Sequence, residues 1–275
     1  MGKVYTVGNG VEMNFDNGAV ELRSPDGGTI SPEWLEIAKI PRSQILSIRV
    51  TGGKVFLPEN AEGFNFDDVH SSMFGCLKNV KEICMNGFDS SRATKMNDMF
   101  CRCKNLVSLD LRGINTSNVK NMFGMFHGCK SLTGLDLNGF ETSSVIDMAC
   151  MFNGCSDLTN LDLSSFNTSN VTDMNSMFAG CEGLTNLDLS SFDTSKVTSM
   201  GYMFNDCYNL KELDLSGFDI SNIHSMMGMF VGCESLRKVI MHQTVSTDVI
   251  TDRIFEKCHA DLTIQPAYGI ARGEA

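Results

Sequence analysis

A single 26-residue unit recurs through most of this chain and limits what the chain can fold into. The dipeptide Met-Phe begins at positions 73, 99, 125, 151, 177, 203 and 229, so seven copies follow one another in unbroken phase. Self-similarity at a period of about 20 to 50 residues is the signature of a solenoid or a similar array. We therefore interpret the chain as a repeat protein before assigning any other feature.

Each unit has two apolar patterns. In the copy that starts at Leu158, Leu161 and Leu163 alternate with polar residues, which predicts a short, half-buried strand. The second half has apolar residues at the spacing of one helix face: Val171, Met174, Met177, Phe178 and Cys181. Thr168-Ser169 stands just before this stripe, where a hydroxyl group can act as a helix N-cap.

A strand and a helix of this size bury their apolar faces only by stacking on copies of themselves. The L-x-x-L-x-L spacing is that of a leucine-rich repeat. We predict an α/β fold: a leucine-rich-repeat-like right-handed solenoid with a parallel sheet on one face and helices on the other, capped at both ends. The predicted units are an N-terminal cap (1–44), a solenoid of about eight repeats (45–258) and a C-terminal cap or tail (259–275).

The predicted caps have their own local signals. Around Asp16-Asn17-Gly18, alternating residues 11–15 and 19–22 predict a β-hairpin. Ser31-Pro32 has the N-cap and first-turn residues of a short helix that runs to about residue 39. We expect Trp34 to anchor this cap. At the far end, a strand at 262–264 and Pro266 are expected to close the stack.

The full unit, L-x-x-L-D-L-S-x-F-[ND]-T-S-x-V-x-x-M-x-x-M-F-x-x-C, resembles the BspA-like leucine-rich repeat surface proteins. The resemblance covers residues 45–258. It implies a bacterial surface or secreted binding protein, often an adhesin for host extracellular-matrix proteins.

Charge restricts the class of partner. The net charge is −11 and the isoelectric point about 4.9, whereas nucleic acids and anionic membranes bind clustered Lys and Arg. We expect no nucleic-acid partner and no membrane insertion, because no run approaches the ~20 apolar residues of a span. A signal peptide and an anchor motif are not recognisable. The resemblance implies an extracellular or cell-surface location, cytoplasmic is the alternative, and we expect a monomer.

The eleven cysteines do not form a disulfide framework by this interpretation. Six of them recur at the repeat period, and side chains in such a column run parallel, which is poor disulfide geometry. Buried free thiols are favoured for Cys103, Cys129, Cys155, Cys181, Cys207 and Cys233. The methionine pairs, from Met122 and Met125 to Met226 and Met229, are interpreted as side chains that fill the hydrophobic core. Histidines lack a zinc spacing, and no catalytic motif is present, so we predict no catalytic residue, no metal site, no cofactor and no enzyme.

The aspartates between the strand leucines are the most informative polar feature. Alternation directs them to the open face of the sheet, where like charges ~5 Å apart repel by ~1 kcal/mol in water and ~3 kcal/mol at an effective dielectric of 20. Three interpretations are open. Hydroxyl and amide groups of neighbouring coils bind each carboxylate, the ladder is a partner-binding strip, or Ca²⁺ bridges it. The ladder consists of Asp110, Asp136, Asp162, Asp188 and Asp214.

The candidate partner-binding residues are these five aspartates together with Asn160, Asn186, Glu212 and Arg112. Around them stand small, polar residues without an aromatic anchor, which predicts modest affinity or a multi-point contact. The predicted function is a non-enzymatic protein-binding module, adhesin-like by resemblance, that contacts host matrix or cell-surface proteins through the open face. A structural spacer without a ligand and an intracellular interaction scaffold are the alternatives.

Overall fold

The structure, a computed structural model, describes residues 2–58, 73–242 and 248–265. Helical structure in this part of the chain is limited to α1 (Trp34–Ala38) and one 3-10 turn (Arg42–Gln44). The described strands are β1 Lys3–Asn9, β2 Val11–Asp16, β3 Ala19–Ile30, β4 Ser47–Phe56, β5 Glu82–Cys84, β6 Phe88–Asp89, β7 Ser108–Asp110, β8 Glu212–Asp214, β9 Lys238–Ile240 and β10 Thr263–Gln265.

The N-terminal segment contains the predicted hairpin and the predicted short helix. β2 and β3 pair antiparallel, and the connecting residues Asn17 and Gly18 have φ of 48° and 86°, as a two-residue hairpin turn requires. The predicted Ser31 cap is wrong in detail, since its hydroxyl donates to the Glu33 carboxylate at 2.7 Å. Glu33 itself is the N-cap residue of α1 and makes no side-chain capping bond.

Trp34 joins this segment to the repeats. It is fully buried, and its Nε1 donates to the Met73 carbonyl at 2.8 Å. The centroid of its ring lies 6.2 Å from that of Phe74, the first ring in a column of stacked phenylalanines. The tryptophan therefore anchors α1 against the end of the stack, as expected from the sequence.

One phenylalanine per turn forms a continuous column in the core. The rings from Phe74 to Phe230 stack at centroid distances of 5.6–5.9 Å, and Phe255 extends the column at 5.3 Å. The spacing of one ring per turn shows that successive 26-residue units lie directly on one another. The fully buried members are Phe74, Phe100, Phe126, Phe152, Phe178, Phe204 and Phe230.

The periodic cysteines line the same core. All six are fully buried, as predicted. Each thiol donates to a phenylalanine carbonyl 29 residues earlier, for example Cys181 to Phe152 at 3.2 Å and Cys233 to Phe204 at 3.0 Å. The thiols therefore act both as small apolar groups and as links between turns.

The segment predicted as a helix is not helical. In residues 174–181, the amides of Met174, Ser176, Phe178 and Gly180 donate to carbonyls 25 residues later, at 2.7–3.1 Å. The amides of Met177, Ala179 and Cys181 bond to carbonyls three residues back, at 3.1–3.2 Å, and the Asn175 amide donates to the Asp173 carboxylate at 2.8 Å. We call this strip, residues 174–181 and its equivalents in other turns, the methionine ribbon. The predicted layer of helices opposite the sheet is therefore wrong.

Backbone dihedrals explain the difference. Ser176 and Gly180 have φ of 55° and 69°, and the same two positions have positive φ in the neighbouring turns. An α-helix needs φ near −63° at every residue and sends each amide to the carbonyl four residues back. Left-handed residues four positions apart therefore interrupt helical geometry, while the apolar side chains still share one inward face.

The leucine side forms a parallel sheet only at the two ends of the stack. β4, β5 and β7 pair in parallel at one end, and β8, β9 and β10 at the other. Residues 134–188, all described, contain no strand, although the leucines still point inward. By contrast, parallel bridges on the methionine side run without a break from Lys95 to Ile250. The parallel stacking is confirmed, but its continuous ladder lies along the methionine ribbon.

The threonine predicted as a helix cap has another role. Thr168 is 1% exposed, and its hydroxyl donates to the Asp193 carbonyl at 2.9 Å while accepting from the Asp193 amide at 2.8 Å. Thr116, Thr142 and Thr194 are buried in the same way. The buried hydroxyl therefore joins one turn to the next instead of capping a helix.

The far end closes as predicted in one respect. β10 pairs with β9 in parallel, which places a strand where residues 262–264 predict one. Pro266 and the rest of the tail lie outside the described residues. The division of the chain at residues 44 and 258 stays a prediction.

Candidate binding face

The candidate residues all lie on the outward side of the leucine segments. Leu161 and Leu163 are buried, whereas Asn160 before them and Asp162 between them are exposed. The same alternation exposes Arg112, Asp136, Asn186, Asp188, Glu212 and Asp214 and leaves Asp110 half-buried. We call this surface, with the five aspartates at its centre, the aspartate face.

Each aspartate is held by its own turn. The carboxylate accepts a hydrogen bond from the backbone amide two residues later, at 2.9–3.2 Å, in residues 110, 136, 162, 188 and 214. Ser164 adds its hydroxyl to Asp162 at 2.7 Å. One of the three interpretations placed the bonding groups on neighbouring coils, and among the described residues the Cys84 thiol makes such a contact to Asp110 at 3.6 Å. The main stabilising bonds are local because the chain turns immediately after each aspartate.

Arg112 is paired with the first aspartate of the ladder. Its guanidinium donates to both carboxylate oxygens of Asp110, at 2.9 and 2.7 Å. This forked contact neutralises the charge of Asp110. The negative part of the aspartate face therefore begins at Asp136.

Hydrogen bonding favours the ionised form of Asp110, Asp162 and Asp188. The pKa of Asp110 is lowered, chiefly by Arg112. The Ser164 hydroxyl and amide lower the pKa of Asp162, and the Ser190 amide and hydroxyl lower that of Asp188. Asp162 and Asp214 act on Asp188 in the opposite direction, because neighbouring negative charges repel. At neutral pH the aspartate face is thus a row of negative charges.

Asp98 on the methionine ribbon and Asp147, the residue just before the ribbon of its turn, are carboxylates outside the aspartate face. Asp98 is 5% exposed, and burial raises its pKa to about 7. Asp147 accepts from the Ala149 amide at 3.0 Å and from the Asn121 side chain at 3.3 Å, and burial raises its pKa as well. Among the described residues, no group of three or more His, Cys, Asp or Glu side chains is arranged to hold a metal ion.

Sequence reasoning missed two features of the structure. Tyr208 is 36% exposed, and the acidic groups of Asp206, Glu182 and Glu234 act on its hydroxyl and raise its pKa. Cys76 and Cys101 form a buried pair outside the main core. Their positions outside the periodic cysteine column were the available signal, but which cysteine contacts which depends on how the irregular first turn stacks.

The comparisons with known proteins identify the repeats. A family model described as "Mycoplasma protein of unknown function, DUF285" matches residues 68–183 and 151–264. No curated protein matches the chain. Among the described residues, no helix has the length and apolar character of a membrane span.

Two solved structures are similar at low identity. A leucine-rich repeat protein from Eubacterium ventriosum is 15% identical, with 96% of this chain and 84% of that chain covered and a TM-score of 0.38. The pneumococcal vaccine antigen PcpA is 12% identical, with 96% of this chain and 90% of that chain covered and a TM-score of 0.27.

Proposed function

We propose that this chain, which belongs to the DUF285 family of BspA-like repeat proteins, is a non-enzymatic binding module that holds a protein partner on its aspartate face. A repeat solenoid presents an extended surface of the kind that protein-binding arrays use. We further propose an adhesin-like role on a bacterial surface, with a host matrix or cell-surface protein as the partner.

The observation that carries this proposal is the separation of the aspartates from the contacts that hold the stack. The carboxylate bonds of Asp162 run to Ser164 in the same turn. The bonds between turns are densest along the methionine ribbon and at Thr168. On the leucine side they use backbone groups and hydroxyls, as from Ser191 to the Leu163 carbonyl at 3.2 Å. A row of ionised, exposed carboxylates that the stacking does not require is suited to recognition.

The chemistry of the face specifies the chemistry of the partner. Residues 136, 162, 188 and 214 present one carboxylate per turn, and small polar groups surround them. A partner with spaced Lys or Arg side chains matches this row. Because exposed charges are screened by salt, binding should weaken as ionic strength rises.

A charge-reversal experiment tests the proposal. Asp162→Lys combined with Asp188→Lys should abolish binding to a panel of immobilised matrix proteins. Asp162→Asn with Asp188→Asn keeps the acceptor oxygens for the Ser164 and Ser190 amides, so this pair should reduce binding without altering the melting temperature. Measuring with Ca²⁺ and with a chelator separates a bridging cation from direct protein contact.

Asp193 and Asp219, which lie outside the aspartate face, provide a matched control. Asp193 and Asp219 are also one turn apart, and each accepts from the amide two residues later, at 3.0 and 2.9 Å. Their replacement by Lys makes the same charge change outside the aspartate face and should leave binding unchanged. Equal loss of binding in both double variants would show that only net charge matters. If the folded wild type binds no matrix protein, the spacer or scaffold alternative is favoured.

A further inference from the structure

Two cysteines stand outside the periodic column and contact each other near the N-terminal end of the stack. Cys76 and Cys101 are 6% and 1% exposed, and together they make a buried cluster separate from the main core. We propose that Cys76 and Cys101 are a dithiol that oxidises reversibly to a disulfide joining the irregular first turn to the next.

The backbone brings the two residues within disulfide range. The Cys76 amide donates to the Cys101 carbonyl at 2.6 Å, and the two side chains pack against each other in one buried cluster. Chains joined by such backbone bonds lie ~4.8 Å apart, within the ~4.4–6.8 Å between α-carbons that a disulfide spans. The periodic thiols differ, because each donates to a phenylalanine carbonyl, as Cys103 does to Phe74 at 3.1 Å.

The surroundings make Cys76 the nucleophile of the pair. The hydrogen bond from Cys101 and the cationic Arg102, Arg42 and Lys78 lower the pKa of Cys76, against the effect of burial. Arg42 is fixed beside it, since its guanidinium donates to the Gly75 carbonyl at 2.8 Å. A thiol next to Arg and Lys is the environment of reactive cysteines.

Cys101 has the opposite character. Its bond to the Cys76 sulfur, burial and the nearby Asp98 raise the pKa of Cys101, so it stays a protonated thiol. Burial likewise raises the pKa of Cys103 to about 12 and of Cys150 to about 11. One activated thiolate beside one protonated thiol is the arrangement of an attacking and a resolving cysteine.

The oxidation balances with a hydroperoxide as the oxidant. The Cys76 thiolate attacks one peroxide oxygen, the O–O bond breaks, and the leaving hydroxide takes a proton from solvent to form water. Cys101 sulfur then attacks the Cys76 sulfenic acid, the S–O bond breaks, and the hydroxyl leaves as water with the Cys101 proton. The two sulfurs lose two electrons, and hydrogen peroxide becomes two waters.

Peptide mapping of the full chain tests this assignment. The protein is treated with hydrogen peroxide at neutral pH, its remaining thiols are alkylated, and it is digested with trypsin. Cleavage after Lys54, Lys78, Lys95 and Arg102 places Cys76 in peptide 55–78 and Cys101 in peptide 96–102, and leaves Cys103 in a separate dipeptide. We expect these two peptides as one disulfide-linked species that dithiothreitol separates.

Matched variants identify the partner cysteine. Cys101→Ser should reduce the linked species more than tenfold and leave Cys76 as a sulfenic acid that reacts with dimedone. Cys103→Ser keeps a donor for Phe74 and should leave the link unchanged. Peptides 55–78 and 96–102 that stay unlinked in oxidised, folded protein would overturn the proposal, and so would a link between two chains.

The pH dependence of Cys76 gives a second readout. In Cys101→Ser, where the serine hydroxyl can still donate, the rate of Cys76 alkylation should rise with a midpoint below the ~8.5 of an ordinary thiol. A midpoint at or above that value would overturn the assignment of Cys76 as the attacking thiolate.

Discussion

Replacing Gly180 by alanine distinguishes the methionine ribbon from a helix, because the two structures predict opposite changes in the stability of the protein. In a helix interior, alanine is more favourable than glycine by about 1 kcal/mol, so the substitution would stabilise the protein. In the structure Gly180 has φ of 69°. A left-handed backbone costs an L-residue about 1–2 kcal/mol, so the substitution should instead destabilise the protein.

The size of the effect follows from three contributions. The strain of about 1–2 kcal/mol is offset by the about 0.4–1 kcal/mol that alanine gains by restricting the unfolded chain. Steric conflict adds little, because a Cβ at this position would lie 3.4 Å from the Gly154 Cα. The net expectation is a loss of about 1 kcal/mol, or about 2–4 °C in melting temperature for a chain of this size.

Thermal and urea unfolding, followed by circular dichroism, measure the change. Gly139→Ala is the matched control, since a Cβ there meets nothing within 4 Å and the residue is outside the left-handed region. The control should be neutral or stabilising by up to about 1 kcal/mol. If Gly180→Ala raised the melting temperature as the control does, the ribbon geometry would be refuted.

Three further substitutions test the contacts between turns and the buried charge. Thr168→Val removes both bonds to the Asp193 backbone and should cost about 2 kcal/mol in urea unfolding, whereas Thr168→Ser should cost less than half of that; equal losses would contradict the bridging role. Phe178→Ala interrupts the ring column and should lower the free energy of unfolding by about 3–5 kcal/mol. Phe178→Leu should lower it by less than about 1.5 kcal/mol. An equally small loss in both variants would argue against tight packing of the column. Because the pKa of Asp98 is raised to about 7 in the folded protein, ionising it opposes folding, so wild-type stability should fall from pH ~4 to pH ~7 and level off above. Asp98→Asn should show a smaller decline, since the raised pKa of Asp147 remains, and should be the more stable protein at pH 8. Parallel pH profiles of the two proteins would refute the assignment.

The sequence was sufficient to predict which side chains point inward. Period and alternation determine burial, because every turn must place its apolar residues in one shared core. Leu163, Met177 and Cys181 are all buried as predicted. The outward position of Asp162 and Asp188 follows from the same alternation, so the membership of the aspartate face was also predictable.

The sequence did not determine the backbone that carries the inward residues. Apolar spacings of three and four residues suit both an amphipathic helix and a ribbon with a left-handed residue every fourth position. Gly154, Gly180 and Gly232 were the available signal, since glycine inside a helix costs about 1 kcal/mol. What decides against the helix is hydrogen bonding between turns, as from Gly180 to Asn205 at 2.7 Å, and such long-range pairing is not visible in the local pattern.

The local bonds of the aspartates were unpredictable for a related reason. A carboxylate between two leucines has donors both on its own turn and on its neighbours, and spacing alone does not choose between them. In the structure the chain bends after Asp162, which brings the Ser164 amide and hydroxyl to the carboxylate. Only the three-dimensional path of the chain excludes the neighbouring turn as the main donor.

The densest contacts between turns and the proposed binding surface therefore lie on different sides of this solenoid. On the methionine side, four amides per turn donate to the next turn, so a change there alters the contacts between turns. On the leucine side, the middle turns at residues 134–188 lack a strand ladder, and the carboxylates there bond within their own turn. A substitution on the aspartate face should consequently change the charge pattern with little change in stacking. Such a face can change its charge pattern without loss of the fold, as the proposed binding function requires.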